Sequence, residues 1–107
     1  MPQTDYVIVG AGSAGCALAA RLSEDPDVHV TVLEAGGPDT AEAISLPAAW
    51  PTLWGTEVDW AYETTPQPGS SGQIHQWPRG RVLGGSSSLN GMVYIRANPE
   101  DWDVWAY

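Results

Sequence analysis

The spacing of apolar residues is regular at the start of the chain and irregular afterwards. Residues 6–10 (YVIVG) form a short β-branched run, typical of a strand that is buried on both faces. Residues 13–22 (SAGCALAARL) are helix formers at helical spacing, and residues 28–34 (VHVTVLE) form a second apolar strand. A strand, a helix and a strand in this order predict a parallel β-α-β unit.

The middle of the chain predicts short and irregular elements. Residues 44–60 mix prolines and tryptophans without a clean period. Residues 60–68 and 73–78 favour two short strands, which are separated by a flexible loop at residues 69–72. Residues 84–95 predict a glycine- and serine-rich turn that opens a short helix.

A helix start is predicted near the end of the sequence. Asn98 is suited to the N-cap position, and Pro99 to the first position of the helix. Glu100 and Asp101 then occupy the first turn, where negative charge is favourable.

These elements are too few for a complete domain. Two parallel strands need cover on both faces, and one helix with a long irregular segment does not provide it. We therefore expect residues 1–107 to be an incomplete domain, and the rest of the fold to be either covalently continuous or a separate chain.

Composition excludes several classes of function. The formal net charge is −9, with 13 acidic residues against four arginines, which disfavours nucleic acid and an anionic membrane surface as partners. The start of the chain does not resemble a signal peptide, and no apolar run is long enough to span a bilayer. The single Cys16 weakly indicates a reducing compartment. We therefore expect a cytoplasmic protein. No cluster of His, Cys, Asp or Glu residues in the sequence has the spacing of metal ligands.

Three glycines where the first strand meets the first helix are candidates for a ligand-binding loop. Gly10, Gly12 and Gly15 form a G-x-G-x-x-G pattern, the dinucleotide fingerprint. In that fingerprint the first glycine permits a sharp turn, the second lets the main chain approach a pyrophosphate, and the third allows close helix packing. The helix N-terminus also favours phosphate.

Glu34 strengthens this interpretation. It lies 19 residues after Gly15, at the end of the second strand, where an acid can accept hydrogen bonds from a ribose diol. Its charge would repel a 2′-phosphate, so NADP is disfavoured. The alternative is a glycine turn and a solvated acid that occur together by chance.

A second segment, residues 78–103, is rich in arginine, glycine and serine. Arg79 and Arg81 are half of the positive charge of the chain, and Gly84 and Gly85 precede three serines. Such a loop offers main-chain and hydroxyl donors to a phosphate or to the edge of a flavin. The residues alone leave a polar turn with solvated arginines equally open.

The quoted segments, with WAYETTPQP and GRVLGGSSSLN, resemble the glucose-methanol-choline (GMC) oxidoreductases over nearly the whole chain. The resemblance implies a Rossmann-like FAD-binding β-α-β unit with an irregular Trp/Pro-rich extension, part of a larger GMC-type fold. It further implies FAD as cofactor and oxidation of a small-molecule alcohol, with hydride transfer to flavin N5.

The resemblance also implies cofactor-binding residues. The glycine loop would surround the pyrophosphate, and the end of the second strand would hold the ribose. The arginine-glycine-serine segment would lie along the rest of the cofactor. The residues carried over are Gly10, Gly12, Ser13, Ala14, Gly15, Glu34, Ala35, Arg81, Val82, Gly85, Ser87, Asn90, Gly91, Met92 and Val93.

Two positions depart from the family pattern. Some members attach FAD covalently through a histidine where this chain has Leu89, so we expect a non-covalent flavin. Ala97 occupies a position where glycine is common. The catalytic histidine of the family lies near the far C-terminus, and His29 and His75 match no catalytic position. We therefore assign no catalytic residue to this chain and expect it to supply cofactor binding alone.

Three alternatives remain open at this point. One is a non-redox flavoprotein on the same scaffold, such as a hydroxynitrile lyase or a photodecarboxylase. Another is an FAD-binding chain of a split enzyme that a partner chain completes. A third is an NAD dehydrogenase, which would carry no yellow chromophore.

Overall fold

The computed structural model describes residues 3–106 and confirms the predicted α/β class. The α-helices are Ser13–Leu22 (α1), Glu42–Ser45 (α2) and Pro99–Trp105 (α3), and the strands are Tyr6–Val9 (β1), Val30–Leu33 (β2), Tyr62–Glu63 (β3) and Gln76–Trp77 (β4). Short 3₁₀ helices lie at Pro47–Leu53, Pro68–Ser70 and Gly85–Ser88. The first helix has its predicted bounds, and the strands are shorter than predicted.

The β1-α1-β2 unit is parallel, as the sequence predicts. Tyr6 lies opposite Val30 and Val9 opposite Leu33 in the register of the two strands. Helix α1 packs against β1 through Gly15, which is buried. A Cβ atom at Gly15 would lie 1.9 Å from the carbonyl oxygen of Gly10, so only glycine permits this approach.

The second sheet is a small antiparallel hairpin. Tyr62 of β3 pairs with Trp77 of β4, and an isolated bridge between Asp59 and Gly80 extends the pairing. The main-chain N–H of Trp60 donates to the Arg79 carbonyl at 2.8 Å, and that of Arg81 donates to the Val58 carbonyl at 2.7 Å. The hairpin therefore fixes where residues 58–60 and 79–81 lie relative to each other.

A small apolar core sits beside this hairpin. Leu53, Val58, Val82 and Leu89 are buried together, and Ala43 and Ile44 pack against them. Ile44, Leu53 and Val58 come from residues 44–60, which the sequence left irregular. Their helical turns were missed because the prolines and tryptophans of residues 44–60 hide any helical period.

The prediction of a short helix within residues 84–95 is wrong, because only one 3₁₀ turn forms there, at Gly85–Ser88. Gly84 and Met92 have positive φ angles of 89° and 55°, which interrupt a right-handed helix. The Ser87 and Ser88 hydroxyls donate to the main-chain carbonyls of Gly84 and Leu83, and so compete with helical hydrogen bonding.

Helix α3 begins where the sequence predicts. The Asn98 side chain accepts a hydrogen bond from the Glu100 N–H, and Asp101 accepts one from the Asn98 N–H. Ala97, just before the cap, has a φ of 64°. This left-handed conformation favours glycine, which is a physical reason for the glycine that is common at this position in the family pattern.

Many large apolar side chains remain exposed in residues 3–106. On the parallel sheet Val7 and Val9 are 58% and 84% exposed, and Trp102 and Trp105 of α3 are exposed as well. Trp54, Trp60 and Trp77 are also more than 40% exposed, while the assignment to an incomplete domain stays a prediction. None of the helices described here has the length and apolar character that crossing a membrane requires.

Candidate functional site

Three loops meet at the carboxyl ends of β1 and β2. They are residues 10–15, 34–37 and 80–85, and we call them the three-loop cluster. The first and third are joined by a bridge between Gly12 and Gly84, and the second and third by a bridge between Gly37 and Val82. Two distant segments of the sequence that each suggested a phosphate-binding loop are therefore neighbours in space.

Close main-chain contacts hold this cluster together. A Cβ atom at Gly36 would lie 2.0 Å from the carbonyl oxygen of Arg81. One at Gly85 would lie 2.9 Å from the Cα atom of Gly12. Glycine is needed at these positions because the loops touch through their backbones, without side chains between them.

Ala11 is the residue that connects the three loops, and the sequence did not identify it. It is 3% exposed. Its N–H donates to Glu34 Oε2 at 2.7 Å, and its carbonyl accepts a hydrogen bond from the Gly84 N–H at 2.8 Å. No sequence signal could have found it, because both contacts are made by main-chain atoms.

Glu34 is ionised in this environment. Hydrogen bonds from the Ala11 and Gly36 N–H groups lower the pKa of the Glu34 carboxyl below its ordinary value, although burial opposes them. The Gly36 N–H donates to Oε1 at 2.9 Å, so each carboxylate oxygen has one main-chain donor. A carboxylate has about four acceptor sites, so Glu34 can still accept hydrogen bonds from two hydroxyl groups.

A cavity of about 290 Å³ opens within the cluster. Five predicted site residues line it, and they come from all three loops. These residues are Gly10, Gly12, Glu34, Ala35 and Gly85. Trp60 and Gly80, which the sequence did not select, line it too.

The N-terminus of α1 borders this cavity and has no side-chain cap. Gly12 is the N-cap residue, and no side-chain oxygen accepts from the first turn. Ser13 and Ala14 are exposed there. The N–H groups of a first helical turn have no partners within the helix, so this end of α1 can bind an anion through its main chain.

Gly12 leaves room for a ligand. Its φ is −76°, and a Cβ atom there would meet nothing nearer than the Cα atom of Gly85 at 4.0 Å. The backbone of this chain therefore does not itself require glycine at this position. Gly10 differs, because its φ of 95° makes the turn off β1 one that glycine alone adopts readily.

Arg81 and Val82 occupy different surroundings. Arg81 is exposed and lines a neighbouring cavity of about 380 Å³, which shares Ala35 with the first. Val82 was predicted to lie along the cofactor, but its side chain is fully buried in the core.

The last predicted site residues lie apart from the first cavity. Ser87 is exposed beside Gly84, and Asn90 and Gly91 line another cavity of about 230 Å³ together with Trp54. Met92 and Val93 are 58% and 77% exposed, and neither lines the cavities of about 290, 380 and 230 Å³. Leu89, at the position of the covalent histidine, is buried in the core.

Residues 3–106 contain few other groups that could act in catalysis or bind a metal ion. The His75 Nε2 atom lies 2.7 Å from the Ser70 hydroxyl in the hairpin loop, and the His29 N–H donates to Asp5. No group of three His, Cys, Asp or Glu residues in the described part of the chain could hold a metal ion. A cavity of about 420 Å³ along α3 contains none of the predicted site residues.

Comparison with known proteins identifies relatives of this chain. The family model described as GMC oxidoreductase matches residues 4–107. The mitochondrial choline dehydrogenase of Mus musculus is 51% identical, in a match that covers 94% of this chain and 18% of that protein. The chain thus spans about a fifth of the length of the curated relatives it matches.

Solved structures give the same result. The pyridoxine 4-oxidase of Mesorbium loti matches with a TM-score of 0.83 and 53% identity, over 97% of this chain and 20% of that one. A formate oxidase of Aspergillus oryzae, studied for modification of its FAD, matches with a TM-score of 0.77 and 37% identity. That match covers 95% of this chain and 18% of the oxidase.

Proposed function

Because the chain belongs to the GMC oxidoreductase family, we propose that it is the FAD-binding portion of a flavoenzyme that oxidises alcohols. The family predicted from the sequence is confirmed by the match over residues 4–107. FAD, the cofactor predicted from the sequence, is confirmed for the family by its relatives. The assignment of individual binding residues, the Rossmann-like description and the role within a larger enzyme are parts of the proposal.

The observation that carries the proposal is the cavity within the three-loop cluster. It has an uncapped helix N-terminus at one wall and the ionised Glu34 at another. A dinucleotide presents a diphosphate and a ribose diol in sequence, and these two walls offer main-chain donors and a carboxylate acceptor. The residues present therefore fit the adenosine diphosphate half of FAD.

In this arrangement each group has a separate role. The main chain at Gly12, Ser13 and Ala14 binds the diphosphate, and Glu34 accepts hydrogen bonds from the ribose hydroxyls. The Ala11 and Gly36 N–H groups orient the Glu34 carboxylate before any ligand arrives. Such orientation reduces the entropy lost on binding.

When bound, FAD would supply the acceptor for a hydride from the CH–OH carbon of an alcohol. We assign no proton-transferring group to residues 3–106. In the proposal that group, and most of the substrate pocket, belong to the remainder of the enzyme, which is either covalently continuous or a partner chain. Leu89 has no nucleophilic atom, so the flavin would be held without a covalent bond at this position.

Flavin content and alcohol-dependent reduction of the complete protein test the proposal. We expect the purified protein to show the visible absorption bands of oxidised flavin, and acid precipitation to release FAD into the supernatant. Anaerobic addition of alcohols, with choline and pyridoxine in the panel, should bleach these bands. A protein that neither contains nor binds FAD would contradict the proposal. A bound flavin that no alcohol bleaches would favour a non-redox flavoprotein instead.

A further inference from the structure

Asp59 is buried beside the three-loop cluster without lining its cavity. It is 7% exposed and is the only charged side chain among residues 3–106 that is buried. Taking a charge out of water is costly unless the charge is paired or hydrogen-bonded. No arginine or histidine in the described part of the chain forms an ion pair with Asp59. Its hydrogen bonds must therefore offset the cost of burial.

Three main-chain N–H groups donate to the Asp59 carboxylate, and its two oxygens divide them unequally. Oδ2 accepts a hydrogen bond from Gly55 at 2.9 Å. Oδ1 accepts one from Ala61 at 3.0 Å and another from Arg79 at 2.8 Å. Gly55 and Ala61 are close to Asp59 in the sequence, whereas Arg79 is 20 positions away. The bond to Arg79 is therefore the one that fixes the start of the third loop, residues 80–85.

The third loop transmits this position to the cavity through main-chain contacts. A Cβ atom at Gly80, the residue after Arg79, would lie 2.1 Å from the carbonyl oxygen of Gly85. A Cβ atom at Gly85 would in turn lie 2.9 Å from the Cα atom of Gly12. All three glycines line the 290 Å³ cavity. Because no side chain between these contacts can adjust, a shift at Arg79 would change the shape of the cavity.

We propose that Asp59 is a positioning residue for dinucleotide binding, because its Oδ1 atom holds the third loop against the glycine loop. This inference rests on the proposed function. Two main-chain hydrogen bonds of the hairpin, donated by the N–H groups of Trp60 and Arg81, hold the same segment. Without the carboxylate the third loop would therefore shift within a folded protein, and the cavity would lose affinity for the ligand without being lost.

Asparagine at position 59 separates positioning from stability. Its side chain has one acceptor oxygen in place of two. At the Oδ1 position that oxygen keeps the bonds from Ala61 and Arg79, whereas at the Oδ2 position it keeps only the bond from Gly55. The first orientation retains two of the three bonds and is favoured. Asp59→Asn should therefore keep the third loop in place, while Asp59→Ala loses all three bonds.

The test compares the dissociation constants of FAD for the apo form of the complete protein, in variants that each show a cooperative unfolding transition. We expect Asp59→Ala to weaken FAD binding roughly tenfold, the usual value of one hydrogen bond to a charged group, and Asp59→Asn by less than about threefold. Glu63→Ala is the matched control, because it removes an exposed acid from the same hairpin. It should change the constant by less than about twofold.

Amide hydrogen exchange of the apo protein gives a readout that a general loss of stability would not reproduce. The Leu83 and Gly84 N–H groups donate to carbonyls of the other two loops, at 2.9 and 2.8 Å. We expect Asp59→Ala to accelerate exchange at these two groups by a larger factor than in β1 and β2. In the milder Asp59→Asn variant the Gly55 N–H should exchange faster, while Leu83 and Gly84 keep their wild-type rates.

Several results would overturn the inference. One is an Asp59→Ala protein that binds FAD as tightly as the wild type. Another is an equal loss of affinity in Asp59→Asn and Asp59→Ala, since only alanine removes the bond to Arg79. Exchange that accelerates by one common factor in the third loop, β1 and β2 would show a merely structural role. A wild-type protein that binds no FAD would instead contradict the proposed function itself.

Discussion

Replacing Asp59 with alanine is expected to lower the free energy of unfolding by about 3–5 kcal/mol. The carboxylate is 7% exposed and accepts hydrogen bonds from the N–H groups of Gly55, Ala61 and Arg79 at 2.8–3.0 Å. Alanine would leave three donors without a partner, each at a cost of about 1–3 kcal/mol, and entering water would recover part of that. Urea titration of the complete protein measures the loss.

Two further variants make this prediction specific. Asp59→Asn keeps one acceptor oxygen and should show an intermediate loss. Asp39→Ala removes an exposed acid and should change the free energy of unfolding by less than about 0.5 kcal/mol. If Asp59→Ala and Asp39→Ala unfold at the same urea concentration, Asp59 does not hold the hairpin and the 79–81 segment together.

The contribution of Asp59 to stability should depend on pH in a defined direction. Burial raises the pKa of its carboxyl, but the three N–H donors outweigh burial and lower that pKa below its ordinary value. The contribution is therefore fully present above the unfolded pKa, near about 3.9. It is lost as the pH falls through the lower folded pKa. Glu34, whose pKa is also lowered, adds a loss in the same acid range.

Replacing Gly15 with alanine is expected to disrupt the packing of α1 on β1 and to lower the free energy of unfolding by more than about 3 kcal/mol. The new Cβ atom would lie 1.9 Å from the Gly10 carbonyl oxygen and 3.1 Å from its carbonyl carbon. Both are main-chain atoms, so no rotamer change relieves the overlap. The helix would have to move away from the strand, and the glycine loop would move with it.

Gly69→Ala is the matched control for this substitution. Gly69 lies in the hairpin loop, and a Cβ atom there would meet nothing within 4 Å. We expect its unfolding curve to match that of the wild type, or to shift slightly towards higher stability. A Gly15→Ala protein that unfolds like Gly69→Ala would show that α1 does not pack against β1 in this way.

The parallel unit could be predicted from the sequence because its signals are local. A β-branched run, a helix-forming run and a second apolar run are each visible within ten residues. The G-x-G-x-x-G spacing and Glu34 then gave the first two loops of the cluster. Each of these inferences depends on residue types whose physical role changes little with context.

The packing of the third loop against the first two, and the core, could not be predicted in this way. Ala11 connects the loops through its main chain, which no side-chain pattern reveals. Asp59 and Trp60 act through contacts with residues 79–81, about 20 positions further along the chain. Val82 resembles any apolar residue of the segment, and only the packing of Leu53, Val58 and Leu89 around it shows that it belongs to the core.

The central claim is that a diphosphate lies directly against the main chain at Gly12, and the FAD affinity of the Gly12→Ala protein tests it most directly. Gly12 has a φ of −76°, and the nearest atom to a Cβ atom there would be the Gly85 Cα atom at 4.0 Å. Alanine should therefore leave the unfolding curve of the apo protein unchanged. We predict that FAD binding to the complete protein nonetheless weakens by about 100-fold, or nearly 3 kcal/mol, because the methyl group occupies the space of the ligand. An unchanged FAD dissociation constant in a normally folded Gly12→Ala protein would contradict the account.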